Sequence, residues 1–263
     1  MARPSAGRTH SNIIKGAPDY DQATYWDTKF ATGQDVGEWL NSGDAVLEAV
    51  LAGLEDRYGG SGMEIAPRAL HLGPGISKLG TKLQEAFTSR GWLSNGIVNV
   101  DFSAEAVRLG QEAEKDQHPS RAMQWIRTDL RSWTDVASLT HLAPFDVILD
   151  KSTSDAIATA EPQVFMPSLD PVVCPAVRVI VEQNGETELS PVEVLALHLV
   201  PLTRVGATWA VLSYSMSRFD NIRYIGRYWE VVSRTPLKAP TGSISSSAHA
   251  PEVFHWLYVL RRI

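Results

Sequence analysis

Cysteine is almost missing from this chain: Cys174 is the only one in 263 residues. One thiol can neither close an intramolecular disulfide nor build a cysteine-based zinc site, so disulfide scaffolds and zinc fingers are excluded. Cys174 is read as a small packing residue. Also missing is any apolar run as long as a membrane span, and the first 15 residues are polar, without a hydrophobic signal region. A cytoplasmic protein with no membrane partner is expected, with the nucleus left open. An excess of basic charge is lacking too: 24 Lys and Arg against 30 Asp and Glu give a net charge of -6, which argues against a broad phosphate-binding surface and a nucleic-acid partner. No repeat, low-complexity tract or linker divides the chain, so one domain over 1–263 is expected.

What is present is an ordinary globular composition, 44% hydrophobic and 21% charged, with enough length to bury a core. Val46, Leu47, Val50, Leu51 and Leu54 recur at helical spacing over 44–57, and Gly59, Gly60 and Gly62 are placed to end that helix. The run Ala69-Leu70-His71-Leu72 reads as a strand entering the turn Gly73-Pro74-Gly75. Ile76, Leu79, Leu83 and Phe87 follow at helical spacing, with Gly91 as the stop. Further strands are read over 96–101, 123–129, 145–150 and 208–214. Between them lie a helix capped by Ser103 and another opened by the capping box Ser190-Pro191-Val192-Glu193, running to about Leu202. Two strand-like runs, 228–232 and 254–260, close the chain with no helical pattern between them. The expected fold is α/β: a Rossmann-like, doubly wound, seven-stranded sheet with a C-terminal antiparallel hairpin.

Such sheets bind ligands at the carboxyl ends of their strands. Four consecutive strand ends here carry Gly73-Pro74-Gly75, Asp101, Asp129 and Asp150. Each has a plain structural use, as a tight turn or a helix cap. Together they suit a ligand that approaches the bare backbone of the turn closely and whose ribose meets a carboxylate. Lys78 stands where the dinucleotide fingerprint has its third glycine, which disfavours a nicotinamide or flavin cofactor.

The words around these ends resemble a known family. They are Tyr25-Trp26-Asp27 with Phe30; Glu38-Trp39-Leu40; Leu72-Gly73-Pro74-Gly75-Ile76-Ser77; Asp150-Lys151-Ser152-Thr153-Ser154-Asp155-Ala156; and the closing His255-Trp256-Leu257-Tyr258-Val259-Leu260-Arg261. The chain resembles the class I, seven-β-strand S-adenosylmethionine-dependent methyltransferases, and within them the translation elongation factor 1-alpha lysine methyltransferases. The resemblance covers about residues 20–160 well and the tail from about Thr208 loosely. It implies S-adenosylmethionine as cofactor and methyl transfer as reaction, possible acceptors being a protein lysine or a small molecule, with no metal.

The resemblance also implies roles. Trp26, Phe30 and Trp39 would wall the cofactor within an N-terminal helical cap over 20–62. Gly73 and Gly75 would take its amino-acid end. Asp101 would hold the ribose with Phe102 against the adenine, Asp129 and Leu130 would read the adenine edge, and Lys151 matches a position near the cofactor. From spacing alone, the three cap aromatics read instead as core residues of a helix packed on the sheet, and only the resemblance reverses that reading.

The chain departs from the family in three places. Its turn reads Gly-Pro-Gly-Ile-Ser where the family has Gly-Cys-Gly-Asn-Ser. Ser152 and Ser154 stand where Gly and Leu are usual. A stretch over 161–189, rich in Pro and Val, is extra: either a surface hairpin or a wall over the acceptor, the latter suiting a small-molecule methyltransferase. If a lysine amine is the acceptor, it must lose a proton, and Asp150, Tyr214 and Tyr25 are the candidates to assist. A cofactor-binding interaction module without catalysis is the alternative from another class.

Overall fold

The computed structural model describes residues 18–33, 37–58, 67–167, 172–220, 222–240 and 252–263. The expected helix stop at Gly59, Gly60 and Gly62 and the polar start of the chain lie outside these residues.

Helices and strands alternate through most of the chain. α1 (Ala23–Thr32) and α2 (Asp44–Tyr58) come first, followed by β1 (Ala69–Leu72), α3 (Leu79–Ser89), β2 (Ile97–Asp101), α4 (Ala104–Glu114) and β3 (Gln124–Arg127). The short α5 (Trp133–Ala137), β4 (Phe145–Lys151) and α6 (Thr153–Ile157) follow. Then come β5 (Gln163–Phe165), α7 (Pro175–Asn184), β6 (Thr187–Leu189), α8 (Pro191–His198), β7 (Thr203–Ser213), β8 (Trp229–Lys238) and β9 (Phe254–Arg262).

Among the described residues the main sheet has seven strands in the order β3-β2-β1-β4-β7-β9-β8. The first five strands in this order are parallel, and β9 runs antiparallel to β7 and β8. Side chains alternate across the sheet, so each strand feeds two cores. Ala69, Val147, Leu149, Ala210 and Leu212 meet Val46, Val50 and Leu54 of α2 and Leu79, Leu83 and Phe87 of α3 on one face. Leu70, Leu72, Ile148, Trp209 and Val211 meet Leu195 and Leu199 on the other. Burial on both faces explains why these strands read as continuous apolar runs.

Register sets the functional edge. Leu72 pairs with Val100 on one side and Asp150 on the other, and Asp101 pairs with Arg127. The glycine turn after β1 therefore lies beside the ends of β2 and β4.

Several boundaries differ from the sequence reading. β3 is shorter than 123–129, because the Asp129 N–H is bound by the Asp135 carboxylate and the chain turns. α8 stops at His198 and continues as a 3-10 turn over Val200–Leu202, where Pro201 has no N–H to extend an α-helix. β7 begins at Thr203, five residues before the expected start, and shifts register against β4 between the Phe145–Thr203 and Val147–Thr208 pairs. β8 runs on through Pro236, which the ladder tolerates because β8 is an edge strand.

The described residues of 161–189 form more than a bare hairpin. They make β5 and β6, paired antiparallel, with α7 between them. Cys174, Val177, Ile180, Val181 and Leu189 pack with Val194 and Leu197 of α8.

Candidate functional site

A cavity of about 310 Å³ opens at the carboxyl edge of the sheet. Trp26, Phe30, Trp39, Gly73, Gly75, Asp101, Phe102, Asp129, Leu130 and Lys151 all line it. Residues scattered from 26 to 151 are thus brought to one place by the strand order. Of the three proton-acceptor candidates, Tyr214 lines the cavity, whereas Asp150 and Tyr25 are not among its lining residues. None of the described residues of 161–189 lines it either.

The floor is the turn after β1. Gly73 and Gly75 both adopt left-handed backbone, φ 50° and 51°. A Cβ on Gly73 would fall 2.4 Å from Thr153 Oγ1, and one on Gly75 2.8 Å from the Phe30 ring. Only glycine meets both demands, positive φ and close approach. The Gly75 N–H donates to Asp101 Oδ2 at 3.0 Å, and the Ser103 N–H donates to Asp101 Oδ1 at 2.9 Å. Burial pushes the Asp101 carboxyl up to about 6 against those two hydrogen bonds, and the nearby Asp27 charge pushes the same way.

The roof is aromatic. Trp26 and Phe30, one turn apart on α1, stack with centroids 5.7 Å apart, and Trp39 meets Trp26 edge-on at 5.8 Å. Tyr20 also touches Trp26 and Trp39, while Tyr25 packs on Tyr20 and Trp26. Trp39 lies outside any helix and donates its indole N–H to Ser152 Oγ at 3.2 Å. Tyr214, just past β7, faces Trp39 edge-on, with His255 on its other side.

Two carboxylates just outside the lining fasten this roof. Asp27 Oδ1 accepts from Ser103 Oγ at 2.6 Å and from the Glu105 N–H at 3.1 Å, at the N-terminus of α4. Glu38 accepts from the Lys78 N–H at 2.8 Å and Ser77 Oγ at 2.9 Å, where α3 begins, and from Lys151 Nζ at 2.7 Å. Burial raises the Glu38 carboxyl, but the Lys151, Lys78 and Ser77 hydrogen bonds outweigh it and hold it below its ordinary range. Lys151 also donates to the carbonyls of Trp39 and Asn41, at 3.0 and 3.3 Å, so its three N–H groups are matched by three protein acceptors. Lys151 lines the cavity, and its ammonium holds the segment that carries Trp39.

Other cations at the cavity are matched likewise. Arg131 makes a bidentate pair with Asp129 at 3.0 Å and lies 3.6 Å from Asp21. Arg218 donates twice to Asp155. Lys29 lies over the Tyr25 ring. Asp155 is a hub that also accepts from Ser152, Ser213 and the Tyr214 N–H. Asp27, Glu38, Asp155 and Arg218 carried no assigned role in the sequence reading. Asp27, Glu38 and Asp155 stand inside the quoted family words, while no local pattern marks Arg218.

Asp150 sits beneath this layer, fully buried, with Oδ1 accepting the N–H groups of Thr153 and Ser154. Burial pushes it up to about 7 against those bonds, with the Asp155 charge adding to the rise. Its observed contacts hold the start of α6. Tyr214, with its ring half exposed at the rim, has its hydroxyl raised by burial and by the charges of Asp155 and Tyr20.

The donor set suits a cationic sulfonium nucleoside better than a diphosphate. Bare backbone floors the cavity, a carboxylate stands at the end of β2, and the guanidinium and ammonium groups of Arg131, Arg218 and Lys151 face carboxylates. The N-termini of α3 and α4, where an anionic ligand gains most from unsatisfied N–H groups, are taken by Glu38 and Asp27.

No protein-family model matches the chain. The mouse protein EEF1A lysine methyltransferase 4 is 28% identical over 223 residues, covering 84% of this chain and 75% of that protein. A SAM-dependent methyltransferase of Anabaena variabilis superposes with a TM-score of 0.50 at 10% identity, over 97% of this chain and all of that one. The magnesium protoporphyrin IX methyltransferase of Synechocystis, solved with bound SAM, gives 0.50 at 13% identity, over 95% and 100%. The chain has the Rossmann-like fold of these methyltransferases.

Proposed function

We propose that this chain is an S-adenosylmethionine-dependent methyltransferase acting on a lysine of a protein. One observation carries the cofactor: a glycine floor, the buried Asp101 carboxylate and an aromatic roof meet in one cavity whose arginine and Lys151 charges are already neutralised. The likeness to the mouse elongation-factor lysine methyltransferase supports the acceptor class.

When bound, the cofactor would supply a methyl carbon on a sulfonium, open to in-line attack by a neutral amine nitrogen, with the thioether S-adenosylhomocysteine as leaving group and the proton of the methylated amine lost to solvent. Gly73 and Gly75 would leave room for its amino-acid end, Asp101 would accept from the ribose hydroxyls, and Phe102, Asp129 and Leu130 would border the adenine. Trp26, Phe30 and Trp39 would exclude water above it. The chain's task is then to hold an amine at near-attack distance, which accounts for much of the rate in such a displacement. Trp39, Tyr214 and Tyr20 line the aromatic side of the cavity, suited to the long apolar stem of a lysine. A raised Tyr214 hydroxyl stays protonated near neutral pH, so it acts as a wall and hydrogen-bonding group rather than a base.

The acidic balance of the chain, net -6, suits a basic protein acceptor. No described helix is long and apolar enough to cross a membrane. The near absence of cysteine supports a cytoplasmic location.

The test is incubation of the purified chain with methyl-labelled cofactor and a cell extract, followed by hydrolysis of labelled bands. Label recovered as methyl-lysine supports the proposal. Label found only in small molecules overturns the lysine reading and leaves the methyltransferase reading standing.

A further inference from the structure

The roof of the cavity is attached in an unusual way. α1 has no buried residue of its own, so apolar packing alone anchors it weakly. Its attachments are polar and lie beside the lining rather than in it. Trp26 lines the cavity and Asp27 does not; Gly37 and Trp39 line it and Glu38, between them, does not. Each carboxylate sits at the N-terminus of a helix that leaves a cofactor-side strand: Asp27 on α4 after β2, Glu38 on α3 after β1. Partial positive charge at both termini favours an anion there.

Ser103 joins this attachment to the floor. Its hydroxyl donates to Asp27, while its own N–H donates to Asp101. The carboxylate assigned to the ribose and the carboxylate that holds the roof are therefore linked through one residue. On the other side, Glu38 binds both the turn after Gly75 and Lys151, which in turn holds the Trp39 carbonyl.

We propose that Asp27 and Glu38 are positioning residues that clamp the aromatic roof onto the cofactor through the N-termini of α4 and α3, and so set cofactor affinity without touching it. This rests on the cofactor reading given above. With Trp26 and Phe30 on one side and Trp39 on the other held down, the bound cofactor is covered from both ends. With either clamp released, its neighbouring aromatics lose their fixed distance from Gly75 and Asp101. Lys151 belongs to the Glu38 clamp.

The experiment is calorimetry with S-adenosylhomocysteine on the wild-type chain, Asp27→Asn and Glu38→Gln, with ligand-free melting temperatures alongside. Each variant is expected to weaken binding about tenfold, comparable to the loss of a charge-assisted hydrogen bond. A purely structural role would lower the melting temperature and leave the affinity of the folded protein unchanged. Hydrogen exchange of the wild type adds a readout that needs no variant: S-adenosylhomocysteine is expected to slow exchange across Ala23–Thr32. Absence of binding to the wild type overturns the cofactor reading itself. Binding by the wild type, with both variants within twofold of it or with exchange in α1 unaffected by ligand, overturns the clamp alone.

Discussion

The carboxylate of Asp155 lies 2.5 Å from the guanidinium of Arg218 at the rim of the cavity, and both side chains are largely buried, 9% and 17% exposed. Asp155 also accepts from the main chain of Tyr214 and the hydroxyls of Ser152 and Ser213. Through Ser152 it is one step from the Trp39 indole. This one ion pair thus fixes the aromatic side of the cavity to the ends of β4 and β7.

Removing one partner of a buried pair leaves the other charge without compensation. Asp155→Ala is expected to cost about 3 kcal/mol in urea unfolding. The double variant Asp155→Ala with Arg218→Met should recover part of that loss. In the folded fraction the acceptor KM rises, while S-adenosylhomocysteine affinity changes less than threefold. An unfolding free energy for Asp155→Ala within 0.5 kcal/mol of wild type would contradict the hub.

Asp101 gives binding a pH dependence. Its carboxyl stands at about 6 in the ligand-free fold, and ribose hydroxyls donate best to the ionised form. Affinity for S-adenosylhomocysteine is expected to rise from pH 5 toward 7, by at most about tenfold per pH unit, and to level off above. Asp101→Asn should remove that slope. Titrations at four pH values measure it, and equal affinity at pH 5 and 7 in the wild type argues against the placement.

Asp150 is a stability group in this account. Its folded value, about 7, lies above the ordinary 3.8. The folded state therefore holds a proton that the unfolded state has released over that interval. Its contribution is full below pH 4 and is lost as pH rises through 7. Asp150→Asn keeps an oxygen for the Thr153 and Ser154 N–H groups without the buried charge, and is expected to be more stable than wild type at pH 8 and to flatten the decline. Methyl transfer should persist in this variant. Loss of activity with unchanged stability would restore Asp150 as a proton acceptor.

Tyr214 separates wall from base. Its hydroxyl is raised, so Tyr214→Phe is expected to keep kcat within about threefold, while Tyr214→Ala raises the acceptor KM about tenfold or more. A hundredfold loss of kcat in Tyr214→Phe would assign it the proton.

The cofactor edge was legible in the sequence because its signals are short and local. Gly73 and Gly75 need left-handed backbone, Asp101 ends an apolar run, and the Ser190–Glu193 capping box announces α8 from four residues. The roof was legible only by resemblance, since Trp26 and Phe30 at helical spacing look the same in any packed helix. What local pattern cannot show is pairing over distance: Asp27 with Ser103, Glu38 with Lys151, Asp155 with Arg218, separated by 76, 113 and 63 residues. The 161–189 stretch was misleading for a related reason. Its Val and Pro content announces burial without saying against what, and among the described residues the partner is α8.

The central claim is that the cavity takes S-adenosylmethionine and not a dinucleotide. The direct measurement is calorimetry of the wild-type chain with S-adenosylhomocysteine and with NAD, repeated on Asp101→Ala. The account predicts one-to-one binding of S-adenosylhomocysteine, no heat from NAD, and loss of binding in Asp101→Ala with the fold intact by circular dichroism. Binding of NAD in place of S-adenosylhomocysteine, or an unchanged affinity in Asp101→Ala, would contradict it.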